Sequence, residues 1–288
     1  LEKEHKNYHL IQADNLRYPV LISVPHAGRH YPRQITDNLR IPADALLRLE
    51  DRYVDMLSRS AAETGFAVIT AKAPRAWIDM NRAPDDIDAA MLADADSSQF
   101  PGMSSKARGG LGLIPRRLSG FGDIWHNKWL WQDIRTRIAE HHAPYHSAIA
   151  GILRAMQRQY GAAVLLDLHS MPSLPVTHDA APAQVVLGDR FGAAASSQMS
   201  EAALAVAERH GFTAQLNHPY AGGYILQRHA APMENVHALQ LEIDRSLYLD
   251  LTGREPAHGV HAVSAMVREI ALAVADEAGR LPELVAAE

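Results

Sequence analysis

The feature that most constrains this chain is a set of four apolar runs that each stop at polar side chains. Val24-Pro25-His26 closes the first, and Asp79-Met80-Asn81-Arg82 follows Ile78 in the second. Asp167-Leu168-His169-Ser170 follows Leu166 in the third, and Glu242-Ile243-Asp244-Arg245 follows Leu241 in the fourth. Such groups are too costly to bury unpaired. If the runs are strands of one sheet, their ends would meet as two imidazoles, several carboxylates and a guanidinium. Apolar, β-branched composition predicts strands at Tyr18–Val24, Phe66–Thr70, Ala76–Met80, Ala162–Leu168, Val185–Leu187, Phe212–Leu216 and Leu239–Ile243.

Helical patterns lie between these runs. Residues 44–63 carry the stripe Leu46, Leu49, Tyr53 and Leu57, with Asp44 as N-cap and Gly65 as stop. Residues 123–159 are helical with an interruption at Pro144, and Ser196–His210 and 261–278 form two more helices. This alternation predicts an α/β fold, a three-layer αβα sandwich around a mixed, largely parallel sheet. No linker or repeat divides the 288 residues, so a single domain over 1–288 is expected. Residues 83–122, rich in Asp, Ser, Gly and Pro, read as a long active-site loop. In such folds ligands bind beyond the carboxyl ends of the strands.

Composition narrows the chemistry. With 47% hydrophobic residues a sizeable core is available, while a net charge of -5 and no Lys/Arg-rich block argue against a nucleic-acid partner. Apolar runs such as Ala162–Leu166 fall far short of the ~20 residues of a membrane span. The opening Leu1–His5 has no signal-peptide apolar core, so a cytoplasmic location is expected. There is no cysteine, which excludes a disulfide scaffold, a thiolate metal site and a Cys nucleophile. A transition metal would have to be held by His and carboxylate.

His26 and His169 are the candidate metal ligands, because two imidazoles and one carboxylate leave an open position on zinc. Asp167, two residues before His169, shares its strand face and could orient the imidazole. For the carboxylate, Asp51 is favoured, with Asp55 and Glu50 also open. Arg82, with Asn81 beside it, suits bidentate binding of a carboxylate, and Arg116 at the end of Gly112-Leu113-Ile114-Pro115-Arg116 stands where a lid residue would. Gly222-Gly223 would let backbone approach a ligand or form a turn. His146 could line the pocket or pack between helices.

Taken in order, these segments resemble a family. Ser23-Val24-Pro25-His26-Ala27-Gly28, Ile78-Asp79-Met80-Asn81-Arg82-Ala83-Pro84, Pro144-Tyr145-His146, Asp167-Leu168-His169-Ser170-Met171-Pro172, Pro219-Tyr220-Ala221-Gly222-Gly223-Tyr224 and Leu241-Glu242-Ile243-Asp244-Arg245-Ser246-Leu247-Tyr248 look like the N-formylglutamate amidohydrolases over about residues 18–250. That family is similar in fold to the zinc carboxypeptidases (phosphorylase/hydrolase-like) and the aspartoacylase-type deacylases. The resemblance implies a metal His, a metal carboxylate, an Asn-Arg pair, a second metal His and a catalytic Glu, here His26, Asp51, Asn81-Arg82, His169 and Glu242. The relatives usually place the carboxylate three residues after the first His, where this chain has Arg29.

The implied activity is hydrolysis of N-formyl-L-glutamate, a small acidic N-acyl amino acid, to formate and L-glutamate, as in histidine degradation. Zn2+ is the implied cofactor, with Co2+ or Fe2+ also suited to such ligands. Glu242 would take a proton from the attacking water and deliver it to the leaving amine. A deacylase or carboxypeptidase acting on another N-acyl amino acid or peptide is the alternative, separable by the size of the cavity. A non-catalytic metal- or ligand-binding protein is the rival of another class, and it would have no use for Glu242 beside the histidines. A serine hydrolase is disfavoured, because Asp167-Leu168-His169-Ser170 is no Gly-x-Ser-x-Gly elbow.

Overall fold

The computed structural model of the protein describes residues 2–4, 6–95, 98, 100, 103–176 and 181–285. Its strands are β1 (Glu2–Glu4), β2 (Tyr8–Ile11), β3 (Val20–Val24), β4 (Ala67–Ala71), β5 (Arg117–Leu118), β6 (Gly122–Asp123), β7 (Ala163–Met171), β8 (Val185–Gly188), β9 (Ala214–Leu216) and β10 (Val236–Asp244). Eight of them form one sheet in the order β1-β2-β4-β3-β7-β10-β8-β9, and β5 and β6 make a separate hairpin. The β3–β4, β3–β7, β7–β10 and β8–β9 pairings are parallel, whereas β1–β2, β2–β4 and β8–β10 are antiparallel. The sheet is therefore mixed, with a parallel centre. Helices cover both faces, as the alternating pattern predicts.

The central strands β3, β7 and β10 are buried along their whole length, which is why they read as nearly continuous apolar runs. Successive side chains go to opposite layers. Val164, Leu166, Leu168, Leu239, Leu241 and Ile243 pack in one core with the helices Ser197–Arg209 and Val260–Val285. Leu21, Ala163, Leu165 and Ala238 pack in the other, under Tyr145, Ile149, Leu153 and Met156 of the helix Ala143–Tyr160. Cutting one such leucine to alanine costs about 2–5 kcal/mol. Continuing the alternation along this second face gives Ser23, Asp167, His169, Gln240 and Glu242 at the carboxyl ends. The face that holds the core at one end thus holds the polar cluster at the other.

Several local expectations change. Residues 44–63 are not one helix. A 3-10 helix, Ala43–Leu49, is followed by a break and then by the short helices Val54–Leu57 and Arg59–Thr64. Tyr53 at the break has φ 58°, and the Asp51 amide leaves the helical ladder to donate to the His26 carbonyl at 3.0 Å. Asp44 is no cap either; Pro42 holds that position, and Asp44 pairs with Arg254 on the surface. Ala76–Met80 is buried but forms no strand: its hydrogen bonds run to Pro74 and Leu113 rather than to a sheet neighbour.

The helix expected over 123–159 begins at Trp131 and does not stop at Pro144. A π-turn, Ile138–His142, precedes the proline and takes up its missing N–H and its clash with the preceding turn. The Glu140 carbonyl that Pro144 cannot serve accepts from the Asn7 side chain instead. β1 and β2 carry no strong strand signal in the sequence, being short and half polar.

In the expected 83–122 loop, positions 96, 97, 99, 101 and 102 lie outside the described residues. The rest holds a 3-10 turn, Ala89–Met91, a short helix, Ser105–Arg108, and part of the β5–β6 hairpin. Ile87, Met91, Leu113 and Ile114 bury it against the sheet, so it is a packed cover over the polar end. Among the described residues no helix is long and apolar enough to cross a membrane.

Candidate metal centre and active-site cavity

His26, Asp51 and His169 converge: one ligand atom from each lies within 4.8 Å of the other two, and all three residues are buried. Asp51 Oδ2 lies 3.4 Å from His26 Nδ1 and 3.1 Å from His169 Nδ1. Both imidazoles are held from behind. His26 Nε2 donates to Asp79 Oδ1 at 2.7 Å, and His169 Nε2 donates to Asp167 Oδ2 at 2.7 Å. These carboxylates fix the tautomers and turn both Nδ1 lone pairs toward Asp51. His26 Nδ1 is buried without a hydrogen-bond partner, and His169 Nδ1 faces a carboxylate oxygen that is itself only an acceptor.

Such an arrangement calls for a cation among the three atoms. A proton can fill the role in part. Burial opposes charge on His169, but Asp167 and Asp51 outweigh it and raise its pKa well above the ordinary value. Asp51 behaves reciprocally: burial works against ionisation, yet the His169 and His26 imidazoles beside it hold its carboxyl well below the usual range. Two imidazole nitrogens and a carboxylate oxygen, each oriented by a further partner, are also the donor set of an open zinc site.

The break in the 44–63 segment decides which carboxylate takes part. It swings Asp51 inward, where Arg245 Nη2 at 3.1 Å and Ser170 Oγ at 3.3 Å hold its Oδ1 and leave Oδ2 to the histidines. Of the two alternatives, Glu50 is taken by Tyr31 and Arg52, and Asp55 by a two-pronged pair with Arg29 at 2.8 and 2.9 Å. Arg29, three residues after His26, thus ties up Asp55.

Glu242 stands next to His169 because β7 and β10 are parallel neighbours in that register. β10 is an interior strand, so Glu242 is buried rather than half exposed on an edge. Burial raises its pKa, partly offset by His169. Gln240 Oε1 accepts from the Gly223 backbone N–H at 3.1 Å, which forces its Nε2 to be the group that donates to Glu242 Oε1 at 2.9 Å. Oε2 of Glu242 makes no hydrogen bond among the described residues.

A cavity of about 360 Å³ is lined by the triad, Glu242, Asn81 and Arg82. Arg48, Arg75, Lys106 and Arg245 add four more cations to its wall. Arg82 is pinned by Nε to the Leu111 carbonyl at 2.9 Å and by Nη1 to the Asn81 carbonyl at 2.7 Å, leaving Nη2 without a protein partner among the described residues. Gly222 and Gly223 also line it. A Cβ on Gly223 would lie 2.4 Å from the Asn81 amide, so this glycine makes room for Asn81, whose Oδ1 accepts from the Ile225 N–H at 2.8 Å.

Two expected pocket residues are elsewhere. Arg116 bridges Asp88 at 2.6 Å and Asp123 at 2.8 Å, holding the cover together outside the cavity. His146 lies behind the 77–82 coil, 2.9 Å from the Met80 carbonyl and 2.8 Å from His229. Conversely, Arg75, Lys106 and Gln240 had no signal that marked them for the site. Arg75 orients Asp79 at 2.8 Å, an i,i+4 pair that the strand reading of Ala76–Met80 concealed. Lys106 arrives from the cover, where the sequence has no periodicity to reveal a facing direction.

Comparison with known proteins agrees with this geometry. A family model described as N-formylglutamate amidohydrolase matches residues 18–249. The N-formylglutamate deformylase of Pseudomonas putida is 32% identical over 238 residues, covering 82% of this chain and 84% of that protein. The N-formylglutamate deformylase of Pseudomonas aeruginosa is 29% identical over 241 residues, covering 81% and 83%. The crystal structure of an N-formylglutamate amidohydrolase from Ralstonia eutropha superposes with a TM-score of 0.85 at 27% identity, over 97% of this chain and 99% of that one. A gene product of Agrobacterium tumefaciens shares the fold, with a TM-score of 0.68 at 18% identity over 95% and 96%.

Proposed function

This chain belongs to the N-formylglutamate amidohydrolase family, and on that premise we propose that it hydrolyses the amide bond of N-formyl-L-glutamate to formate and L-glutamate. The observation that carries the reading is the convergence of His26 Nδ1, His169 Nδ1 and Asp51 Oδ2 beside the free Oε2 of Glu242. A binding protein would need the first three but not the fourth. His26, Asp51 and His169 would hold Zn2+, with Co2+ or Fe2+ as ions of similar ligand preference. Bound there, zinc would supply Lewis acidity and make hydroxide available at neutral pH.

Glu242 does the proton work. Its Oε2 takes a proton from the water that attacks the formyl carbon and passes it to the nitrogen of the departing amino acid as the C–N bond breaks. Gln240, by occupying Oε1, keeps Oε2 turned to the reacting atoms. Asn81 and the free Nη2 of Arg82 receive a carboxylate of the glutamate moiety, a charge-assisted contact. Arg48, Arg75, Lys106 and Arg245 make the wall electropositive, which favours a substrate with two carboxylates. Gly223 leaves the space that the Asn81 amide fills, and Gly222 the space that Leu226 fills, so the backbone packs closely against Asn81 at the rim.

At about 360 Å³ the cavity is at the small end for ligand sites, roughly 300–1,000 Å³, which suits a formylated amino acid better than a peptide. Neighbouring clefts of about 630 and 690 Å³ share Arg82 and Lys106, and Arg75 and Arg245, with it. They favour, as a second reading, a deacylase that takes a larger N-acyl group or a peptide. A screen of N-formyl, N-acetyl and N-formimino amino acids, with metal analysis of the same sample, tests both. Preference for N-formylglutamate supports the first reading, and preference for a bulkier acyl group the second. No hydrolysis with any of the three metals would leave a metal-binding protein.

A further inference from the structure

The coil 77–82 carries Asp79, Asn81 and Arg82 to the site without any strand beside it. Its carbonyls are instead held by the helical run 131–160. Arg137 Nη1 donates to the Trp77 carbonyl at 3.4 Å, His146 Nε2 to the Met80 carbonyl at 2.9 Å, and His142 Nε2 to the Arg82 carbonyl at 2.9 Å. A carbonyl can only accept, so both imidazoles carry a proton on Nε2. In neutral His146, Nδ1 is then the acceptor, and His229 Nε2 must donate to it at 2.8 Å. Burial keeps these rings uncharged, pushing His146 down to about 2 and His229 to about 4. The Arg137 guanidinium lies between the Trp77 and Trp129 rings, 3.5 and 3.9 Å from their centroids, which fixes it without a carboxylate.

The spacing has a structural reason. Arg137 and His142 are five residues apart, which on an α-helix of 3.6 residues per turn would put them about 140° apart. Between them lies the π-turn, closed by the bond from the Ala143 N–H to the Ile138 carbonyl, and its wider winding advances each residue by less than the ~100° of an α-helix, which narrows the angle between the two. His146 follows His142 at the ordinary four-residue step. All three donors therefore reach the same coil. None of them lines the cavity.

We propose that Arg137, His142 and His146 are positioning residues, a carbonyl clamp that sets how far Asn81 and Arg82 reach into the cavity through the backbone between them. The consequence for turnover rests on the hydrolase reading above, whereas the clamp itself does not. Gln can place an amide Nε2 near the position of an imidazole Nε2, Met fills the space without a donor, and Asn falls one methylene short. His142→Met and His146→Met should each raise KM for N-formylglutamate about tenfold, the worth of one buried hydrogen bond. Their kcat should change much less, and zinc content should stay at the parent's level. His142→Gln and His146→Gln should restore KM to near the parent value.

Equal KM in the parent and Met variants overturns the clamp, and so does equal impairment in Met and Gln variants, which would make the histidines mere packing. Should the Met variants fail to fold, the Asn variants take their place, and equal KM for Asn and Gln gives the same negative result. If the parent hydrolyses no N-acyl amino acid, the hydrolase reading fails separately. Amide hydrogen exchange of Asp79, Asn81 and Arg82 then reads the clamp. Exchange about tenfold faster in His142→Met than in His142→Gln supports it, and equal exchange overturns it.

Discussion

The two halves of the site are built on different principles. His169, Glu242, Asp167 and Gln240 sit on β7 and β10, where register alone sets their spacing: Glu242 lies beside His169, and Gln240 beside Asp167. His26, Asp51, Asn81 and Arg82 sit in segments with no strand neighbour and must be tied down by side chains and single backbone bonds. Asp51 is anchored by its amide to the His26 carbonyl, and Asp79 by Arg75 and His26. The 77–82 carbonyls are held by Arg137, His142 and His146. A strand-borne group moves only if the sheet moves, whereas a coil-borne group is as well placed as its ties. Substitutions behind the coil half should therefore alter substrate binding, and substitutions behind the strand half should act through metal or proton transfer alone.

Four experiments bear on that contrast. The largest effect is expected for His169→Ala, which removes a ligand from the strand half: stoichiometric zinc and measurable turnover should both be lost. A full equivalent of metal in a folded variant would remove His169 from the centre. Next comes Glu242→Gln, which keeps shape while removing the proton acceptor. Its kcat should fall by about 10²–10⁴-fold with zinc content and melting temperature near the parent's. Survival of activity within about threefold, well inside that range, makes Asp244 or Asp167 the next base to test.

In the coil half, Arg82→Ala should lower kcat/KM by roughly 10- to 150-fold, as for loss of a hydrogen bond to a charged group worth about 1.5–3 kcal/mol. Lys there should rescue only part, lacking the second and third nitrogens that tie Arg82 to the Leu111 and Asn81 carbonyls. Arg116→Ala, outside the cavity, should stay within about threefold of the parent, costing at most the ~1 kcal/mol of an ion pair. Equal losses at the two arginines would show that the cavity boundary is wrong. The sharpest comparison sets Asp79→Asn against Asp167→Asn. Each removes the carboxylate behind one imidazole and should weaken zinc binding by about 10–100-fold. Only Asp79→Asn should also raise KM, because its NH2 would replace the oxygen that accepts from Arg75 Nε at 2.8 Å and would loosen the coil that carries Asn81 and Arg82. Matching KM in the two variants would erase the distinction between the halves.

The sequence by itself determined the placement of the strand half. A strand buried on both faces must be apolar throughout, so Asp167, His169 and Glu242 within or beside such runs had to be paired. Alternation of strand and helix likewise determined the layered architecture, and the ordered segments determined the family. Only the tertiary structure decided the coil half. Periodicity gives residues 44–63 a single helix because Leu46, Leu49, Tyr53 and Leu57 fit one. Yet the Asp51 amide pairs with a carbonyl twenty-five positions away, and the helix breaks there. Ala76–Met80 is apolar enough for a strand, but its partners are Pro74, Leu113 and two donors on a distant helical run, Arg137 and His146. Arg116 and His146 have the right chemistry for a pocket, and only packing shows that one braces the cover and the other holds backbone. Local pattern reports which surface a segment must bury. Contacts between residues far apart in the chain decide where its polar groups end up, and no local pattern encodes them.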